Sequence, residues 1–334
     1  MSPTARAYWL REPGSGEIRS ADLSDPGPGE VLVRTLVSGV SRGTEALVFR
    51  GGVPSSQHAA MRAPFQEGDF PGPVKYGYLN VGLVESGPAD LRGRTVFCLH
   101  PHQTAYVVPV EAVTVVPDDV PPRRAVLAGT VETAVNALWD ARPVVGDRVA
   151  VVGAGMVGLS VARLLTGIPG VTVTVVDTDA SKRAVAEALG ARFAPPVDAP
   201  TSLDLVVHTS GTAAGLQTSL DLLADDAVVT DLSWYGDTPV ALHLGGRFHS
   251  SRLGIRASQV GAVAAARRGS RSPADRLALA LRLLADPVFD LLLTGESHFE
   301  ELPEAMAKLA SGSIPALCHT VTYDASGSGD PGGR

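Results

Sequence analysis

Cysteine is nearly absent from this chain. Only Cys98 and Cys318 occur among its 334 residues, which is too few for a disulfide framework. Their separation is also not the spacing of a zinc-binding motif. The sequence therefore excludes a small disulfide-stabilised protein and fits a reducing compartment. Its length is sufficient for two domains and a large hydrophobic core.

Long apolar runs and excess positive charge are lacking too. No run reaches the roughly 18 apolar residues of a membrane span, and the N-terminus has no signal-peptide core. We therefore expect a cytoplasmic protein with no membrane partner. The net charge of −7 leaves no electrostatic surface for nucleic acid. We interpret the one local arginine cluster, Arg267, Arg268 and Arg271, as a solvated helix end.

Glycine, in contrast, is abundant, and three of the 36 glycines have an informative spacing. They follow a short apolar run at Val149 to Val152, which is typical of a buried parallel strand. In a G-x-G-x-x-G motif the first glycine allows a tight turn, the second lets backbone approach a pyrophosphate, and the third packs helix on strand. The predicted phosphate-binding residues are Gly153, Gly155, Met156, Val157 and Gly158.

An acidic residue ends the next predicted strand, Val171 to Val176. Asp177 lies 24 positions after Gly153, near the spacing at which a carboxylate binds the adenosine ribose hydroxyls of a dinucleotide. A carboxylate there repels the 2′-phosphate of NADP, so the sequence favours NAD, although Lys182 follows closely as a further cofactor contact. The alternative to a dinucleotide site is a strand-to-helix turn that binds no ligand.

The rest of the chain divides by pattern into an α/β protein of two domains. Residues 1–122 show short strands and almost no helical periodicity. Residues 123–293 alternate helices and strands, as in a doubly wound parallel sheet. Residues 294–324 return to the first pattern, and 325–334 read as a flexible tail. The helices predicted in the second region are Ala125 to Trp139, one that follows the glycine motif and is broken at Gly167, Ala180 to Leu189, one that starts near Thr212, and Pro273 to Ala285.

Several segments resemble the medium-chain alcohol dehydrogenase superfamily. They are VLVRTLVSGVSRGTE, YVVP, VTVVPDD, LAGTVETAVNAL, GDRVAVVGAGMVG and CHTVTY. The pieces SGVSRGTE, KYGY and FHSSRL look most like a zinc-less subgroup that includes bacteriochlorophyllide dehydrogenases. This resemblance implies a GroES-like β-rich catalytic domain, a Rossmann cofactor domain, and a homodimer formed through a region like 227–254.

The resemblance also shows a departure at the metal site. In the family's zinc enzymes two cysteines and a histidine hold a catalytic metal, and those positions resemble Ser41, Tyr78 and Ala128 here. None of these three is a good zinc ligand. We therefore expect no metal, and a side-chain acid or base in its place.

Four residues are candidates for that chemistry. Tyr78 can donate a proton to a carbonyl, or accept one from an alcohol if a cation such as Lys75 lowers its pKa. The alternative is that Tyr78 is a half-buried aromatic residue of a strand with no catalytic role. His100 resembles a substrate-lining position and has the intrinsic pKa of a proton shuttle. Ser41 could bind the substrate oxygen, and Glu132 resembles a position beside the nicotinamide. His102 reads as loop surface.

The family positions that contact the cofactor extend beyond the glycine motif. Arg42 resembles a position that contacts the pyrophosphate, and an arginine fork suits phosphate geometry. Ser233 and Trp234 resemble the family's fourth-strand loop, which meets the nicotinamide through backbone groups, and Thr209 and Ser210 resemble the corresponding loop after the previous strand. These positions complete the predicted cofactor site.

The preferred interpretation is a zinc-independent, NAD-dependent dehydrogenase that interconverts a secondary alcohol and a ketone on a biosynthetic intermediate. Two alternatives remain open at this point. One is a zinc-less enone or quinone reductase that uses NADPH, which Asp177 argues against. The other is a non-catalytic NAD-binding protein, because fold alone does not decide activity.

Cofactor preference is the first testable prediction. Because Asp177 repels a 2′-phosphate and binds a ribose hydroxyl, NAD should bind at least about tenfold tighter than NADP in calorimetric titrations. Asp177→Ser should reduce the difference between the NAD and NADP affinities while the protein still folds. Equal or reversed affinities in the unmodified protein would contradict the prediction.

Overall fold

The computed structural model describes residues 4–324. The tail expected at 325–334 therefore lies outside the described residues. The chain divides into two compact units, which within this range are residues 4–126 with 294–324, and Leu127–Leu293. The first crossing between units thus follows Val126, whereas the sequence pattern placed it after residue 122.

Strands and helices within the described range are numbered in chain order. The strands are β1 (Thr4–Glu12), β2 (Ser15–Asp22), β3 (Glu30–Val40), β4 (Glu67–Gly68), β5 (Val74–Lys75), β6 (Asn80–Ser86), β7 (Thr95–Cys98), β8 (Ala105–Pro109), β9 (Val113–Val115), β10 (Arg148–Val152), β11 (Thr172–Val176), β12 (Arg192–Ala194), β13 (Leu205–His208), β14 (Val228–Asp231), β15 (Gly254–Ala257), β16 (Leu293–His298) and β17 (Cys318–Thr322). The helices are α1 (Arg42–Phe49), α2 (Pro122–Ala125), α3 (Ala128–Ala141), α4 (Met156–Thr166), α5 (Arg183–Ala188), α6 (Ala213–Leu222), α7 (Arg247–Ser250), α8 (Pro273–Leu283) and α9 (Leu302–Ser311).

The first unit is built on two sheets. One has the order β2-β1-β5-β4, and the other has the order β16-β17-β3-β6-β7-β9, with β8 also pairing with β3. Strand β3 alternates half-buried and buried side chains before its last residues become fully buried, as expected for a strand that has one face on the core. Val31, Val33 and Tyr106 belong to that core.

Helix α1 was not predicted, because the sequence pattern indicated almost no helix before residue 123. The helix has only eight residues and directly follows β3. Its apolar face is Ala46, Val48 and Phe49, and the Glu45 carboxylate accepts a hydrogen bond from the Ser41 backbone N–H at 2.7 Å. Two turns are too short to show helical periodicity clearly. This helix supplies several polar residues of the candidate site.

The second unit is a six-stranded parallel sheet with the order β12-β11-β10-β13-β14-β15. Counted within the unit, this is the order 3-2-1-4-5-6 of the dinucleotide-binding Rossmann fold. Every neighbouring pair in the sheet is parallel. The predicted doubly wound parallel sheet is therefore confirmed.

The three helices predicted at Ala125, Ala180 and Pro273 all have different bounds in the structure, and the last, α8, ends at Leu283 rather than Ala285. The segment predicted as one helix from Ala125 to Trp139 forms α2 and α3, separated at the boundary between the two units. The Asp179 carboxylate accepts a hydrogen bond from the Ser181 backbone N–H at 3.0 Å and tightens the next turn into a 3₁₀ helix. Helix α5 therefore begins at Arg183 rather than Ala180. Within residues 4–324 no helix combines the length and apolar character needed to cross a bilayer.

Candidate active site

The turn between β10 and α4 contains Gly153, Gly155 and Gly158, and we call it the glycine cradle. Gly153 has φ +110°, and a Cβ atom there would lie 2.7 Å from the Ser210 backbone nitrogen. A Cβ atom on Gly158 would overlap the carbonyl oxygen of Gly153, so α4 can approach β10 only without that side chain. Gly155 differs, because its Cβ position has no atom within 4 Å. The open space lies at the start of α4, where helix N–H groups favour a phosphate.

Asp177 lies beside this cradle at the end of β11. Its Oδ2 accepts a hydrogen bond from the Ala154 N–H at 2.6 Å, and its Oδ1 accepts one from the Asp179 N–H at 2.8 Å. A carboxylate has about four acceptor positions, so Asp177 retains capacity for ribose hydroxyls. Lys182 is drawn towards Asp179, with 3.7 Å between its Nζ and a carboxylate oxygen of Asp179. These residues fit the adenosine half of a dinucleotide.

The loops after β13 and β14 lie against the same turn. The Thr209 hydroxyl donates to the Gly153 carbonyl at 2.9 Å, so this side chain fixes the turn itself. The Ser233 hydroxyl accepts a hydrogen bond from the Gly211 N–H at 3.0 Å and ties the two loops together. Trp234 follows as a half-buried residue.

Sequence reasoning missed a buried polar network at this edge of the sheet. His208 ends β13 and pairs in register with Asp231, which ends β14. The His208 Nδ1 lies 2.9 Å from Asp231 Oδ1, and His208 Nε2 lies 2.6 Å from the Ser210 hydroxyl. Tyr235 donates its hydroxyl proton to Asp231 Oδ2 at 2.8 Å. The signal in the sequence was a histidine and an aspartate at the carboxyl ends of neighbouring parallel strands.

In the first unit, Tyr78 lies with the polar residues that begin α1. Burial and the nearby Glu45 carboxylate raise the pKa of Tyr78 to about 12, against the opposing effect of the Ser41 and Thr44 side chains, which lie close enough to hydrogen-bond its oxygen. Tyr78 precedes β6 and is not a strand residue. The structure therefore brings Tyr78 and Ser41 together.

The expectation that Lys75 lowers the pKa of Tyr78 is wrong. The Lys75 ammonium is buried and donates to the Glu67 carboxylate and, at 2.7 Å, to the Gln103 side-chain oxygen. A lysine neutralised by a carboxylate gives little electrostatic help to a distant phenolate. The phenol of Tyr78 therefore stays protonated at neutral pH.

His102 is buried rather than exposed on a loop. Its Nε2 lies 2.9 Å from Glu45 Oε2, and its Nδ1 lies 2.7 Å from the Ser38 hydroxyl. The Ser38 hydroxyl is 2.7 Å from the Tyr323 hydroxyl, which extends the chain of hydrogen bonds to a half-buried residue. Each member has a partner, as buried polar groups require.

His100 does not have the properties of a proton shuttle at neutral pH. Burial lowers the pKa of His100 to about 3, and its Nδ1 lies 2.9 Å from the Pro101 carbonyl. The His100 ring stacks on the Tyr106 ring with 3.8 Å between centroids, and it also stacks with the Phe65 ring at a centroid distance of 5.5 Å. The expectation of a titration near the ordinary histidine value was wrong because it assumed solvent contact.

Glu132 has a buried cationic partner that the sequence did not reveal. The Arg276 guanidinium donates to Glu132 Oε1 at 3.0 Å and to the Asn136 side-chain oxygen at 2.5 Å, joining α3 to α8. Burial raises the pKa of Glu132, and Arg276 opposes that rise. This carboxylate is therefore buried and paired with Arg276 of α8.

The residues at the zinc positions do not fit a zinc ion. A hydroxyl, a phenol with a raised pKa and a methyl group replace the thiolate and imidazole ligands that zinc requires. Among residues 4–324 no three histidine, cysteine, aspartate or glutamate side chains are grouped as metal ligands. Burial also raises the pKa of both Cys98 and Cys318 to about 12, so their thiols stay protonated.

Arg42, predicted to contact the pyrophosphate, is the half-buried first residue of α1.

No protein-family model matches the chain. Solved structures do resemble it. A protein from Escherichia coli CFT073, described as a short chain alcohol dehydrogenase and solved with NADH, matches 96% of this chain and 100% of its own at 16% identity and a TM-score of 0.76. A protein from Sinorhizobium meliloti 1021, described as a zinc-binding dehydrogenase and bound to NADP, matches 96% and 99% at 17% identity and 0.76.

A third similar structure is 2R,3R-butanediol dehydrogenase from Bacillus subtilis. It matches 96% of this chain and 100% of its own at 16% identity and a TM-score of 0.75. At these identities the likeness establishes the fold. The chain therefore has the fold of the medium-chain alcohol dehydrogenases, a GroES-like unit and a Rossmann unit.

The glycine cradle leads to a matched pair of substitutions. Gly158→Ala should lower the free energy of unfolding by about 1–3 kcal/mol in denaturant titrations, because its methyl group overlaps a carbonyl oxygen. Gly155→Ala should fold normally but weaken NAD binding by at least about tenfold, because its methyl group enters the open phosphate space. A stabilising Gly158→Ala, as helix propensity alone would give, would refute this packing.

Proposed function

We propose that this protein is a zinc-independent, NAD-dependent dehydrogenase of the medium-chain family that interconverts a secondary alcohol and a ketone. The observation that carries the proposal is the open glycine cradle with Asp177 at the end of β11. Structures with the same fold and bound NADH or NADP support a nicotinamide cofactor. When bound, this cofactor supplies the hydride chemistry. Gly153, Gly155, Gly158 and Asp177 would hold its adenosine diphosphate half.

The choice of NAD over NADP rests on charge. Asp177 offers the two oxygens of its carboxylate at the expected ribose position, and the ammonium of Lys182 is directed to Asp179. A 2′-phosphate there would meet negative charge without a dedicated arginine. The same charge disfavours the alternative of an NADPH-dependent enone or quinone reductase.

Tyr78 is the proposed acid. Its raised pKa keeps the phenol protonated, so it can donate a hydrogen bond and then a proton to a carbonyl oxygen. Ser41 and Thr44 then stabilise the phenolate that remains. At neutral pH the phenol is thus in the protonated state that reduction of a ketone needs, and oxidation of an alcohol through the same group needs its phenolate. It also favours chemistry over a non-catalytic NAD-binding role.

We also propose a homodimer formed through the exposed edge of the Rossmann sheet. Strand β15 lies at the end of the sheet order, and its Ile255 side chain is 39% exposed. An unpaired strand edge with an exposed apolar residue is suited to pairing with a second copy.

Loss of the Tyr78 hydroxyl should reduce turnover selectively. Tyr78→Phe keeps the ring, so NAD affinity and melting temperature should barely change while kcat falls by about 10² or more. Tyr76→Phe is a matched control, because its ring lies 6.0 Å from that of Tyr78. The kcat profile should show no step near pH 6.5, because the pKa of His100 is lowered to about 3. Retention of more than about a third of kcat would reject Tyr78 as the acid.

The second prediction of this proposal concerns zinc. Protein purified without added metal should contain well under one equivalent by elemental analysis, because Ser41 and Tyr78 replace zinc ligands. Chelator should change neither melting temperature nor turnover. One equivalent of bound zinc would indicate Lewis-acid catalysis by the metal and would contradict the proposal.

A further inference from the structure

Tyr8 of β1 is a buried tyrosine whose hydroxyl has no hydrogen-bond partner among residues 4–324. Only 4% of this residue is exposed. Burial and the nearby Glu45 carboxylate raise the pKa of the phenol above its ordinary value, so the hydroxyl keeps its proton at neutral pH. Buried hydroxyls in native proteins have partners, because the lost hydration is otherwise not compensated. The Tyr8 hydroxyl therefore needs an acceptor.

One side of this hydroxyl is closed by β2. Leu10 of β1 pairs in register with Gly16 of β2, two positions from Tyr8. A Cβ atom on Gly16 would overlap the Tyr8 hydroxyl oxygen, so the end of the ring lies directly on the Gly16 backbone. Within the described part of the chain, this backbone forms no hydrogen bond with the hydroxyl. The acceptor must therefore be reached from another side.

Tyr8 also lines a small cavity between β1, α1 and α9. Its volume is about 10 Å³, at the lower end of the roughly 10–15 Å³ that one water molecule needs. Glu45 and Tyr76 are the other polar side chains in its lining, and the remaining four are apolar. The cavity thus has space for one water molecule and for no larger ligand.

Glu45 is the strongest acceptor in this lining. Its Oε1 accepts a hydrogen bond from the Ser41 N–H at 2.7 Å, and its Oε2 lies 2.9 Å from His102 Nε2. A carboxylate has about four acceptor positions, so about two remain. The Tyr8 hydroxyl does not reach Glu45 directly. A group that joins the two must accept from the phenol and donate to the carboxylate.

Water meets both requirements of this bridge. An ammonium ion cannot accept a hydrogen bond from the phenol, and a halide ion cannot donate one to the carboxylate. A water molecule does both, and such bridges are enthalpically almost equal to a direct hydrogen bond. The chemistry of the two groups and the size of the cavity therefore select the same ligand.

We propose that this cavity is a binding site for one buried water molecule, which accepts a hydrogen bond from the Tyr8 hydroxyl and donates one to the Glu45 carboxylate. The inference does not depend on the proposed function. The bridge joins β1 to the start of α1. It also extends the chain of hydrogen bonds that runs from Tyr323 to Glu45 as far as Tyr8.

Tyr8→Phe distinguishes a hydrated cavity from a dry one by the sign of its effect in denaturant titrations. If water bridges the two groups, loss of the hydroxyl removes a favourable hydrogen bond, and the equilibrium constant for unfolding should rise about two- to tenfold. If the cavity is dry, phenylalanine removes an uncompensated polar group, and the same constant should fall.

Tyr106→Phe is the matched control. Tyr106 is also buried, but its hydroxyl donates directly to the Asn80 side-chain oxygen at 3.1 Å. Oxygen-17 magnetic relaxation dispersion counts the long-lived water molecules of each protein in solution. The count should fall by one in Tyr8→Phe and should not change in Tyr106→Phe, although both variants lose a tyrosine hydroxyl.

A high-resolution crystal structure locates the bridge directly. One ordered water should lie within about 2.5–3.0 Å of both the Tyr8 hydroxyl oxygen and a carboxylate oxygen of Glu45. A direct hydrogen bond between Tyr8 and Glu45, or no density between them, would overturn the inference. A Tyr8→Phe variant that is more stable than the unmodified protein, or that has the same water count, would overturn it too.

Discussion

The close approach of α4 to the end of β10 is the constraint on which the cofactor unit depends. Neither Gly153 nor Gly158 has room for a side chain, because each Cβ position is filled by atoms of the turn or of the loop after β13. The same contact therefore fixes the cradle, places Thr209 on the Gly153 carbonyl and brings Ser210 against the turn. Of the three glycines in the motif, Gly155 is the one whose Cβ position faces open space, and this is where phosphate would bind.

Buried charge is handled by pairing in both units. Glu45 with His102, Glu132 with Arg276, and Asp231 with His208 are three acidic residues whose partners are also buried. Desolvation makes an unpaired carboxylate costly, so such pairs persist where a polar residue must stay in the interior. The charge of Glu45 also helps keep Tyr78 protonated. These contacts in the first unit are the basis on which Tyr78 is proposed as the acid.

Local patterns predicted most of the cofactor unit. The glycine spacing, the apolar strands β10 and β11, and Asp177 depend on neighbours in sequence, and the sheet order follows from alternating strands and helices. The candidate site was harder because its electrostatics depend on distant residues. Lys75 meets Glu67 and Gln103, His100 lies under Tyr106, and Arg276 reaches Glu132 across 144 positions. Helix α1 was missed because two turns carry too little periodicity.

Direct transfer of hydrogen from the cofactor tests the account best. Metal-free protein should be incubated with NADH deuterated at the transferring position of C4 and a panel of ketones, and the products analysed by mass spectrometry. A zinc-independent dehydrogenase should place deuterium on the carbinol carbon of a secondary alcohol without added zinc. Transfer that requires zinc, transfer to the β-carbon of an enone, or no transfer to any ketone would contradict it.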